Sequence, residues 1–223
     1  MEKTLTHKDL NNAIIQMYNR EISPCELADI YFKYKLYSCA ATYYVLQLNE
    51  LRESNNNDKE SKSYCFAKIA ECYYNQQKNH NFSGWQLSMI HDMCQESISY
   101  NPFTNLKPYL ILGKCLMKRR ENKRAYFVYN DMVLNLDKFD YLNSEDKKLF
   151  IEAINEYLTL AELHQIIKYD EIYVKIVEFM TKNKCFKFED FSFIYNRFAN
   201  HIKYVKQEEI DIMKGNIQKY YNY

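Results

Sequence analysis

What most restricts the fold of this chain is the punctuation it lacks: its 223 residues include only three glycines and three prolines. Glycine supplies the positive backbone angles of tight turns and proline fixes their first corner, so a fold of many short strands needs both in quantity. Long helices joined by brief connections need almost neither. No stretch keeps a two-residue alternation bounded by turn residues, whereas apolar residues recur three and four apart along most of the chain. The sequence therefore predicts an all-α fold.

Capping signals set the expected boundaries. Thr6 stands three places before Asp9, opening a helix over 6–20 with Leu10, Ile14, Ile15 and Tyr18 on one face. Ser23, Pro24 and Glu26 make a stronger start: a hydroxyl cap, a proline at the first helical position and an acid that returns to the cap backbone. From there Leu27, Ala28, Tyr31 and Phe32 carry the helical period to about Tyr34. Tyr37, Ala40, Ala41, Tyr44, Leu48 and Leu51 resume it, giving an antiparallel hairpin turned at Lys33–Leu36. The polar run 52–63 reads as a loop, and a helix carrying Tyr64, Ala67, Ile69, Ala70, Tyr73 and Tyr74 begins near Lys62. Helices are then expected over 84–99, 108–120, 122–136, 145–167, 169–182, 188–203 and 206–220.

Three stretches about 34 residues apart share a pattern. Leu27, Ala28 and Tyr31 are followed by Tyr37, Ala40 and Tyr44; Ala70 and Tyr73 are followed, after a longer connection, by Pro102; Tyr109, Leu112 and Gly113 are followed by Ala125 and Tyr129. Small residues let two helices approach, and rings on either side fill the grooves that remain. This pattern resembles the tetratricopeptide (TPR) repeat. The resemblance implies TPR-like hairpins stacked as an α-solenoid over 23–137, behind an N-terminal helix in 1–22 and before further helices in 138–223. More narrowly, the run from Leu27 through Met132 is similar to TPR-like segments attached to glycosyltransferases; the D-x-D metal motif of such transferases is absent, so that likeness implies an accessory part.

In a solenoid the inner helices line a concave binding surface. The expected groove residues are Asp29, Phe32 and Lys33, then Glu71, Tyr74 and Asn75, then Lys114, Met117 and Lys118. Mixed charge with aromatic and thioether anchors suits a peptide or helix of another protein. The Lys and Asn pattern with which some relatives clamp a chaperone's terminal carboxylate is not reproduced.

Other chemistries leave weaker traces. Gly84, Gly113 and Gly215 stand alone, which excludes a glycine-rich phosphate loop. The five histidines form neither H-x3-H nor H-E-x-x-H, and no C-x-x-C pair exists, so no metal or other cofactor is expected. His91 and Cys94 lie one helical turn apart, but Cys94 falls at a core position. Glu71 is the one carboxylate worth naming for acid/base work, and its expected place is an exposed face. Lys118, Arg119, Arg120, Lys123 and Arg124 form the densest basic cluster and would suit phosphate contacts, although a net charge of +1 disfavours general nucleic-acid binding. Seven cysteines, an odd number and most of them among apolar neighbours, read as the small core residues of a reducing, cytoplasmic compartment. No apolar run reaches the ~18 residues of a membrane span. The function expected is thus a non-enzymatic adaptor that binds another protein.

Overall fold

The structure, a computed structural model, describes residues 6–54, 57–77, 82–139, 142, 144–163 and 169–201. Among these it is helical throughout: α1 (His7–Tyr18), α2 (Pro24–Lys33), α3 (Tyr37–Glu53), α4 (Lys59–Gln77), α5 (Gly84–Tyr100), α6 (Lys107–Lys118), α7 (Asn122–Leu134), α8 (Lys147–Leu163), α9 (Tyr169–Lys182) and α10 (Phe188–His201). Two 3-10 turns, Leu136–Lys138 and Ser144–Asp146, lie between α7 and α8. The expected helix over 206–220 lies outside the described residues. None of the described helices is long and apolar enough to cross a membrane.

The caps operate as their residues dictate. Glu26 Oε2 accepts the Ser23 backbone N–H at 2.8 Å while Ser23 Oγ accepts that of Glu26 at 3.2 Å. Thr6 and Asp9 exchange the same two bonds at 3.1 and 3.2 Å. Each box satisfies donors that a helix leaves without internal partners. Glycine does not end the helices, however. Arg20, Lys35 and Arg120 take the left-handed conformation at φ 60°, 61° and 60°. Behind α2, Lys35 N–H donates to Phe32 O and Leu36 N–H to Tyr31 O; behind α6, Arg120 N–H donates to Met117 O and Glu121 N–H to Leu116 O. These are the paired bonds of a Schellman termination, with a basic residue where glycine is the usual choice.

The chain divides into two compact units, Met1–Cys115 and Leu116–Tyr223, the division falling within α6. In the first, α3 packs between α2 and α4, and α4 packs on α5. Leu27, Ala28, Ala40 and Tyr44 are completely buried. Between α4 and α5, Ser63 Oγ donates to Ser97 O at 2.8 Å and Ser97 Oγ to Ser63 O at 2.9 Å. Two hydroxyls that each bond the opposite backbone bring the helices close without burying an unpaired donor. In the second unit α7 packs on α8 and α9, and α9 on α10.

Two expectations change. The run 52–63 is shorter as a loop, because α3 continues to Glu53 and α4 begins at Lys59 behind Asp58, which accepts the Ser61 N–H at 3.0 Å. On α1, Ile15 and Tyr18 are exposed, at 56% and 77%. The face turned to the core is instead Leu10, Ala13, Ile14 and Met17, with α1 packed against α2. Most of the cysteines are core residues, Cys65, Cys72, Cys94 and Cys115 being buried, while Cys39 is exposed and Cys25 and Cys185 are half-buried.

Candidate functional site

The described face most able to meet a ligand is built from α2, α4 and α6 within the first unit. Positions three and four apart lie on one side of a helix. On α2 this groups Asp29, Phe32 and Lys33; on α4 it groups Tyr64, Lys68, Glu71 and Asn75.

Asp29 is a hydrogen-bond hub. Its Oδ1 accepts from Tyr44 Oη at 2.5 Å and from Tyr64 Oη at 2.7 Å, tying α2 to α3 and α4. Burial, reinforced by that carboxylate, pushes both phenols above their ordinary range, so the two stay protonated as donors. One turn along, Lys68 Nζ stands 4.1 Å from the centre of the Phe32 ring, a contact worth about 0.5–2 kcal/mol. The same ammonium lies 3.3 Å from Glu71 Oε2, and Lys107 of α6 reaches Glu71 Oε1 at 2.6 Å. A chain of side chains thus runs from Asp29 and Phe32 through Tyr64, Lys68 and Glu71 to Lys107.

Two placements correct the expected groove. Glu71 is buried, at 7% exposure, rather than standing on an open face. Both its oxygens face lysine ammoniums, whereas acid/base work calls for a carboxyl isolated in apolar surroundings. Tyr74 is buried too, its ring 5.8 Å from that of Phe82. Lys33 is exposed, and Asp29, Phe32, Asn75 and Lys114 are half-buried. Met117 is half-buried and Lys118 exposed, but both belong to the second unit. Lys68, Tyr64 and Lys107 were absent from the expected set. The three-residue spacing of Lys68 and Glu71 signals their pairing, while nothing local announces Lys107, 36 positions beyond Glu71.

The basic cluster is partly neutralised from within. Glu121 receives Arg119 Nε at 2.7 Å on one oxygen and Arg124 Nη1 at 2.5 Å on the other. Arg119 and Arg124 therefore face a carboxylate. His91 is buried, its Nδ1 2.9 Å from Asp92 Oδ1, and Cys94 is fully enclosed, so burial drives its thiol well above the ordinary range. That thiol fills space. Comparison of the chain with protein-family models, curated proteins and solved structures returns no match.

Proposed function

We propose that the chain is a non-enzymatic interaction module, built of TPR-like hairpins, that binds a peptide or helix of another protein against α2 and α4. One observation carries this reading: the polar groups of that face are spent on each other, Asp29 on two tyrosines and Glu71 on two lysines. What remains toward solvent is a rigid surface of a half-buried ring, an overlying ammonium, the exposed Lys33 and the half-buried Asn75. Prearranged aromatic and cationic groups lower the ordering cost of binding an extended or helical segment. No step of bond chemistry is assigned to them.

The test begins with purification of the tagged chain from its native source and identification of a stoichiometric partner by mass spectrometry. The affinity of that partner is then measured for the wild type and for a Lys33→Glu, Lys114→Glu double variant. The expected result is at least a tenfold loss of affinity with an unchanged circular dichroism spectrum. Equal affinity would remove the face from consideration.

A further inference from the structure

Two cysteines 40 positions apart in sequence meet on this fold. Cys25 is the second residue of α2, and its backbone N–H donates to Gln47 Oε1 of α3 at 3.3 Å, which fixes the start of the helix. Cys65 lies on α4, completely buried. Both residues line one cleft of about 410 Å³, together with Ser23, Gln47, Glu60, Ser61 and Tyr64. There the Cys65 thiol is the neighbour that most affects the Cys25 thiol. The two are not equivalent. The neighbouring Cys65 thiol holds that of Cys25 below its usual range, aided by Lys68 and opposed by burial and by the carboxylates of Asp29 and Glu26. The same pairing, with burial, pushes Cys65 far up. A half-buried thiol opening on a cleft at a helix N-terminus, backed by a buried thiol, is the arrangement of an attacking and a resolving cysteine.

We infer that Cys25 and Cys65 form a redox modification site, oxidised by a hydroperoxide to an intramolecular disulfide that joins α2 to α4. In the first step the Cys25 thiolate attacks the peroxide O–O bond. An S–O bond forms, the O–O bond breaks, and the departing oxygen leaves as hydroxide or alkoxide and takes up a proton. In the second, Cys65 loses its proton to solvent and its sulfur attacks Cys25. The S–S bond forms, the S–O bond breaks, and the oxygen leaves as water after protonation. Two thiols lose two electrons and one peroxide gains them. The bond joins the two sulfurs at about 2 Å. The inference does not depend on the function proposed above, although the link would fasten together the two helices of that face.

The experiment treats the purified full chain with hydrogen peroxide under native conditions, alkylates the remaining thiols, and maps tryptic peptides without reduction. Cleavage at Arg20, Lys33, Lys62 and Lys68 isolates Cys25 in peptide 21–33 and Cys65 in peptide 63–68, each with a single cysteine. The expected result is a linked 21–33/63–68 species as the first and dominant disulfide. Cys65→Ala should instead accumulate a dimedone-reactive sulfenic acid on Cys25, and Cys25→Ser should abolish both products. The wild-type map requires no variant to fold. First oxidation at the exposed Cys39, or Cys25 sulfenic acid that persists in the wild type beside an alkylated Cys65, would overturn the inference.

Discussion

In the first unit the closed positions at helix contacts are occupied by small residues: Ala28, Ala40, Ala70, Cys65, Cys72 and Cys94 are all inaccessible to solvent. In the second, a run of rings does that work. Phe150 is fully buried with Phe179 at 5.2 Å and Phe186 at 5.6 Å, and Phe186 continues to Phe191 at 6.5 Å. Both units bury tyrosines by giving the hydroxyl an acceptor, Asp29 for Tyr44, Glu156 for Tyr129 and Asn130 for Tyr157. The polar solution is shared and the apolar one differs in emphasis, since the second unit also encloses Ala125, Ala153 and Ala161 and the first stacks Phe66 on Tyr100 at 5.7 Å. Small residues bring backbones together and leave little volume to fill; rings hold helices further apart and fill what lies between.

Removing a ring should have the largest effect. Phe150→Ala deletes the member of the aromatic run that touches two others, and a substitution of that kind costs about 3–5 kcal/mol. Urea unfolding followed by circular dichroism should register it as a large fall in midpoint. Trp85, the single tryptophan, lies in the first unit and reports separately by fluorescence. If the fluorescence midpoint fell equally, the two units would share one core response, and the contrast between them would lose its energetic meaning.

The reverse change tests the first unit. Ala40→Leu adds three carbons where α3 has no free volume, and overpacking of this kind costs about 1–3 kcal/mol. The expectation is the upper end of that range, because the site is set by close helix approach and not by a ring that can tilt. A midpoint in urea equal to that of the wild type would show that Ala40 is small by accident.

This contrast also explains which parts of the fold could be read in advance. The first unit announces itself because small and aromatic residues alternate at helical spacing between explicit caps: Ser23 with Glu26 and Thr6 with Asp9 start their helices where the residues imply. Beyond α7, where Ala125 and Tyr129 still follow the pattern, the second unit has amphipathic helices but no such signature, so these helices were legible one by one and their packing was not. Within the candidate site Asp29, Phe32 and Lys33 were legible as one face of a short helix. The burial of Glu71 was not, because it depends on Lys107, and neither was the meeting of Cys25 with Cys65 across α3. Reciprocal serine bonds such as Ser63 with Ser97 leave no trace in a hydrophobic pattern at all. Side chains that act through partners distant in sequence are invisible to local periodicity.

The smallest expected effect concerns a feature the two units share. The turn after α2 and the turn after α6 have the same paired backbone bonds and the same left-handed residue, Lys35 in one unit and Arg120 in the other. A side chain in that conformation costs about 1–2 kcal/mol, against the roughly 0.5–1 kcal/mol that glycine adds to the entropy of the unfolded chain. Lys35→Gly and Arg120→Gly should therefore each stabilise, by about 0.5–1 kcal/mol, measurable as a rise in the urea midpoint. Equal gains would mean that helix termination is a local matter, indifferent to whether alanines or phenylalanines fill the unit around it. A gain at position 35 with a loss at 120 would instead assign Arg120 a stabilising contact through its side chain, and the helix ends would join the apolar cores among the features in which the units differ.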